Sequence, residues 1–252
     1  MLALVDDWGN PSPGKTATEW FGFAAVLLQD SQVETMRSFI KSVCRILGRA
    51  STVPLHFREL SCNSKYHITQ LFAKKNPAIS IVAARIHAVT SPHLTQRGWA
   101  YRYYGKEMVR VATHFAADLG EDARVVFHRH AYLKDFGDYI FNKLRNNSWY
   151  LKKHQSNQIL YDRLKSLSVA DDEEEHLLGL ADCVANGCHS AMNPDSRWQQ
   201  ANPSCLNLLT ECIWKGPSYH VNARSFGAIL EPGGIPLNMM PDLPTAIRRH
   251  WE

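Results

Sequence analysis

Asp6 and Asp7 stand side by side in LVDDWGNP, residues 4–11, where an apolar run gives way to a Gly-Asn-Pro turn. Leu4 and Val5 read as the end of a buried strand, so two carboxylates sit at the margin of a low-dielectric core. There each disfavours the ionisation of the other. Two more acids have unusual surroundings. Glu59 lies in HFREL (56–60), just ahead of a predicted helix, and Asp182 lies in GLADCVANG (179–187). On a helix the neighbours of Asp182 are Leu178, Gly179, Cys183, Ala185 and Asn186, a face of little bulk that can press close on a sheet. An aspartate on such a face needs a basic residue, a backbone donor or a metal. Carboxylates from distant segments meeting on Mg²⁺ or Mn²⁺ satisfy that need. Two such ions about 4 Å apart activate a water and stabilise the leaving oxygen in phosphodiester cleavage. The ordinary alternatives are a buried ion pair or hydrogen bond for Asp182 and a turn cap for one or both N-terminal aspartates.

Alternation along a strand gives Asp6 the parity of Leu2 and Leu4, and Asp7 that of Ala3 and Val5. Both faces are apolar, so parity does not choose between them; Asp6 is read as the ligand and Asp7 as the accessory group. His128 and His130 alternate in VVFHRH (125–130) and are expected to face one way, with Arg129 opposite. Near carboxylates His128 can serve as ligand or general base. His56 lies three residues before Glu59. Glu175, seven residues before Asp182, is a possible accessory acid two turns away, although DDEEE (171–175) is ordinarily a solvated helix start. The stretch 143–166 carries Arg145, Lys152 and Lys153 among Trp149, Tyr150 and Tyr161, a mixture suited to phosphate contact and base stacking. A solvated helical face with aromatic anchors would look the same. No dinucleotide fingerprint, P-loop or GxSxG elbow is present, and no Ser-His-Asp order is compelling.

These groups must be held by a fold. Strands are predicted at 2–6, 19–29, 78–89 and 123–130, with an edge strand near 164–169. Helices are predicted at 31–48, from about 63 to 75, and at 98–119, 134–147 and 171–193. Ser31 and Glu34 suggest a capping box for the first. The order describes an α/β protein, a mixed sheet flanked by helices, compatible with a ribonuclease-H-like topology. Residues 1–193 form that domain; 194–252, rich in turn residues, form an irregular C-terminal elaboration packed on it.

The composition sets limits. At 252 residues, 45% hydrophobic and 21% charged, the chain can bury a sizeable core. A net charge of +4 permits a nucleic-acid partner without requiring one. No apolar run is long enough to span a membrane, and MLALVDD does not read as a signal peptide. A cytoplasmic location is expected, with the six cysteines as reduced thiols. Cys183, Cys188 and His189 are poorly spaced for zinc.

Taken together, the Asp6-Asp7 pair, HFREL and GLADCVANG resemble the motifs of domain-of-unknown-function family 3800: an N-terminal Asp-Glu pair, a middle Glu and a C-terminal QxxD helix. The resemblance spans roughly residues 1–193. It implies a ribonuclease-H-like fold and metal-dependent nuclease activity, with Asp6, Glu59 and Asp182 holding Mg²⁺ or Mn²⁺ and with Asp7 and His128 completing the site. RNA or DNA would be the partner, gripped by Arg145, Trp149, Lys152 and Lys153; a protein partner or a second copy is also possible. The chain departs from the pattern in three places: Asp7 for Glu, Gly179 for Gln, and His128 where members tend to carry an Asp. The Gly179 and His128 departures favour an alternative, a catalytically inactive ribonuclease-H-like module that binds nucleic acid or protein within a defence or toxin-like assembly. A different metal-dependent hydrolase or transferase is the third option.

Overall fold

LALVDDW, apolar on both faces up to its two aspartates, and the unbroken apolar run WFGFAAVLL become the first two strands, β1 (Leu2–Trp8) and β2 (Trp20–Leu28), paired antiparallel from Leu2–Leu28 to Trp8–Gly22. A computed structural model of the chain describes residues 1–11, 18–85, 97–147, 158–193, 202–216 and 228–231. Strand β3 (Ala78–Arg85) continues the antiparallel meander beside β2. Strand β4 (Ala123–His128) returns parallel to β1, and β5 (Leu164–Ala170) lies parallel to β4. A last strand, β6 (Ala228–Glu231), comes from the C-terminal elaboration and pairs parallel with β3. The sheet order is β5-β4-β1-β2-β3-β6, which puts β1 near its centre. Residues 228–231 thus add a strand to the sheet.

Both faces of the sheet are buried. Leu2, Leu4, Trp8, Ala24, Val26 and Leu28 pack under α1 (Asp30–Ile46), α2 (Cys62–Ala73) and a later helix, Leu178–Met192. Ala3, Val5, Phe21, Phe23, Ala25 and Leu27 pack under α3 (Arg97–Leu119) and α4, a single α turn (Phe136–Asp138) that widens into a π turn (Tyr139–Leu144). The helix Leu178–Met192 is then α5, and Ser204–Leu208 is α6. Helices on both faces of a mixed open sheet give the α/β class expected from the element order.

Several boundaries differ from expectation, each for a local reason. Helix α1 starts at Asp30, because the Gln29 amide donates to Gln32 Oε1 at 3.0 Å and so moves the cap ahead of Ser31. Helix α5 starts at Leu178, not at 171. The acids before it are drawn to arginines elsewhere: Asp171 and Glu174 to Arg129 at 2.7 and 2.8 Å, and Glu175 to Arg37 at 3.1 Å. Strand β4 ends at His128, and a 3₁₀ turn, Ala131–Leu133, follows. Residues 86–89 of the predicted third strand, and Trp149, Lys152 and Lys153, lie outside the described residues.

The centre of the sheet leaves no room at Gly22. A Cβ there would collide with the Val82 carbonyl oxygen and lie 2.9 Å from Trp8 Cζ2. Backbone cannot yield inside paired strands, so Gly22→Ala should destabilise the protein by about 2 kcal/mol or more, read as a lowered urea midpoint with an unchanged slope.

Candidate functional site

Three parallel strands end side by side, and each ends in polar residues: β1 in Asp6-Asp7, β4 in His128-Arg129-His130, β5 in Asp171-Asp172-Glu173. In open α/β sheets the carboxyl ends of parallel strands open onto a crevice, because the flanking helices begin there. A cavity of about 420 Å³ occupies this place, lined by those residues together with Asp182, His56 and Arg58. The structure thus brings Asp6, Asp7, Asp182 and His128 together.

The sheet's two faces settle what strand parity left open. Asp6 shares the face of Leu2 and Leu4, which is the face covered by α5 and Asp182. Asp7 shares the face of Ala3 and Val5 and meets α3, where Tyr101 Oη donates to Asp7 Oδ2 at 2.7 Å. Asp6 is only 9% exposed. Burial pushes its carboxyl up to about 6; the His128 hydrogen bond opposes the shift, and the Asp7 and Asp182 charges add to it. Burial also raises Asp7, against the Tyr101 hydrogen bond, and raises Asp182, against the Phe57 amide.

His128 answers part of that charge. Its Nδ1 lies 3.2 Å from Asp6 Oδ1 and its Nε2 lies 3.4 Å from Asp172 Oδ2. Held between the hydrogen bonds to Asp172 and Asp6, the imidazole is pushed up to about 11 and stays protonated at neutral pH. Asp172 in turn lies 3.3 Å from His56 Nδ1, so carboxylate and imidazole alternate from Asp6 through His128 and Asp172 to His56.

Asp182 is fixed by a close approach of backbone. The Phe57 amide donates to Asp182 Oδ2 at 2.7 Å. One turn earlier on α5, a Cβ at Gly179 would lie 2.9 Å from the Leu55 carbonyl oxygen. The segment 55–57 therefore rests closely on the small face at Gly179 and so reaches Asp182.

Glu59 does not join the cavity. It ends the 3₁₀ turn Phe57–Glu59, and burying Phe57 sends the side chain two residues on outward. Glu59 is 49% exposed and lies 3.7 Å from Arg49 Nη2. Glu175 is likewise taken elsewhere, by Arg37. His128 and His130 do not face the same way as expected, because the strand stops between them: His130 stacks on Tyr101, on the α3 side. Arg145 is exposed, with its guanidinium 5.7 Å from the Tyr161 ring centroid, and does not line the cavity. The residue that sequence reasoning missed is Asp172, 7% exposed and shared by two histidines. Its signal was an acid directly after an edge strand, hidden in a run that resembled a helix start.

Among the described residues, no three His, Cys, Asp or Glu side chains surround a single point as ligands of one ion. The donor set nevertheless suits a hard divalent cation. Asp6 Oδ1 takes both the Asp7 amide and His128, and Asp182 Oδ2 takes the Phe57 amide. Asp6 Oδ2 and Asp182 Oδ1 are thus left without a partner among the described residues, and carboxylate oxygens are what Mg²⁺ and Mn²⁺ prefer. No family model matches the chain, and no curated protein does either.

Two outcomes follow from this geometry. The folded state holds the Asp6 proton more tightly than the unfolded chain does, so Asp6 favours folding below about pH 4 and loses that contribution as pH rises towards 6. In EDTA, the unfolding free energy should fall across this window by on the order of 3 kcal/mol relative to Asp6→Asn, in urea titrations at stepped pH. Separately, Gly179→Ala should push segment 55–57 away from α5, and hydrogen exchange at the Phe57 amide should accelerate at least tenfold if the bond to Asp182 opens by about 1.4 kcal/mol.

Proposed function

We propose that this cavity performs metal-dependent hydrolysis of phosphodiesters in nucleic acid, on a ribonuclease-H-like fold. The observation that carries the reading is the convergence of Asp6, Asp7, Asp172 and Asp182, from β1, from the end of β5 and from α5, on one cavity at the carboxyl ends of the parallel strands. The antiparallel meander β1–β2–β3 followed by parallel β4 and β5 supports the fold assignment. Asp6 and Asp182 would hold Mg²⁺ or Mn²⁺. A bound ion of this kind supplies Lewis acidity and a water acidic enough to act as nucleophile at neutral pH.

The chain's own residues have separable tasks. Tyr101 holds Asp7 in place, and the Phe57 amide holds Asp182. His128, charged and hydrogen-bonded on both ring nitrogens, offsets the carboxylates and holds Asp6 and Asp172 in place. Arg58 lines the cavity without an ion-pair partner among the described residues, which leaves its guanidinium for a phosphate oxygen.

One observation favours the second reading, a catalytically inactive module of the same fold. His128 already sits between Asp6 and Asp172 as a built-in cation. The two readings part in a cleavage panel of single- and double-stranded RNA and DNA with Mg²⁺ or Mn²⁺. Hydrolysis predicts that Asp6→Asn and Asp182→Asn each lose more than the roughly 10–100-fold that a supporting group is worth, while Glu59→Gln cuts like the wild type. Equal activity in the wild type and both Asn variants would assign the cleavage to a contaminant. No cleavage in any of them would leave the inactive module.

A further inference from the structure

Beside the acidic cavity stands a group of aromatic rings that metal chemistry does not use. His130, which lines the cavity, stacks on Tyr101 with ring centroids 4.2 Å apart and planes 13° apart. Tyr132 stacks on His130 at 5.3 Å and 26°, and lies 5.6 Å from Tyr101. Tyr101 is buried and bonded to Asp7, so the group is tied directly to the carboxylates. Tyr132 is its open end: the residue is 38% exposed.

The exposure of Tyr132 is built in. The turn Ala131–Leu133 is anchored by buried Leu133, and the Tyr132 amide donates to His130 Nδ1 at 3.3 Å, which fixes the spacing of the two rings. Across from it α3 carries Gly98, where a Cβ would lie 3.8 Å from Tyr132 Cδ1, and then Trp99, 49% exposed. An apolar ring held rigidly at the surface gains nothing for the core. It does offer a flat face whose ordering has been settled by folding, which is what a stacking partner needs.

We infer that His130 and Tyr132 form a stacking ledge for an unpaired nucleobase, so that the strand presented to the acidic cavity is single-stranded. This deepens the phosphodiester reading and rests on it. Charge points the same way. Six acids line the cavity (Asp6, Asp7, Asp171, Asp172, Glu173 and Asp182) against Arg58, Arg129 and a charged His128, so acids outnumber cations there and Arg58 by itself gives a strand little sequence-independent affinity. A ring-on-ring contact supplies affinity that does not depend on positive charge. Bases inside a duplex have both faces covered by their neighbours, whereas an unpaired base has a face to give.

The test uses the full-length chain carrying Asp182→Asn, to prevent turnover, with Mg²⁺ present. Fluorescence anisotropy compares a short labelled single strand, its twin with abasic sites and its blunt duplex. The intact single strand should bind about tenfold more tightly than the abasic twin. Tyr132→Leu should erase that difference, and Tyr132→Phe should keep it, because only the ring is required. The ledge is overturned if intact and abasic strands bind alike, if Tyr132→Leu binds as its parent does, or if the duplex binds as tightly as the single strand. The cleavage panel is read separately. A protein that discriminates abasic strands but cuts nothing keeps the ledge and loses the hydrolysis; one that cuts without discriminating loses the ledge alone.

Discussion

A strand buried on both faces cannot end in two aspartates without partners for each. β1 lies between β2 and β4, and Leu2 to Val5 are all but sealed from water. Its last residues leave the core one step at a time. Aspartate is too short to reach solvent by bending around its neighbours, as a lysine or glutamate would. Alternation then forces the two carboxyls to opposite sides of the sheet. Asp6 has to be answered from the α5 side, and Asp7 from the α3 side. Tyr101, His128 and the neighbouring Asp182 take their meaning from that division: each stands where a consequence of burying those two acids is felt.

The answer on the α5 side is cooperative. His128 bonds Asp6 and Asp172 at once, and Asp172 bonds His56 as well, so no single pair can be removed without leaving another group uncompensated. Removing one partner of a buried pair typically costs about 3–5 kcal/mol, because the remaining charge stays buried. The arrangement is also still unbalanced. Asp6, Asp7 and Asp182 all hold their protons more tightly than free aspartate does, chiefly through burial, despite the imidazolium nearby. A site with a surplus of negative charge in low dielectric is one where further positive charge is favourable, whether from an ion or from a bound group.

What the sequence made legible was whatever depends on local period. The strands, the long helices and the α/β class followed from apolar runs and from stripes at helical spacing; the face that Asp6 shares with Asp182 did not, because both faces of β1 are apolar. What it hid depended on where chains run in space. Glu59 looked equivalent to Asp182, but the direction of a side chain on a three-residue 3₁₀ turn is set by which neighbour is buried, here Phe57. Asp172 looked like one of five solvated acids. Arg129 and Arg37 claim three of those acids and leave Asp172 to the cavity. His130 was assigned the face of His128 by a periodicity that lapses as soon as the strand does.

Gly179 shows how a single small residue can be read from its surroundings. A Cβ at that position would lie 2.9 Å from the Leu55 carbonyl oxygen, so no larger residue is compatible with segment 55–57 where it lies. That same segment delivers the Phe57 amide to Asp182 Oδ2 at 2.7 Å. A backbone donor is held more firmly than a side-chain amide, whose rotamers would have to be frozen to do the same work. It leaves Asp182 Oδ1 uncommitted. By this reasoning the glycine is the condition for positioning Asp182, and the question of catalytic competence moves from α5 to the end of β4, where His128 holds the place between Asp6 and Asp172.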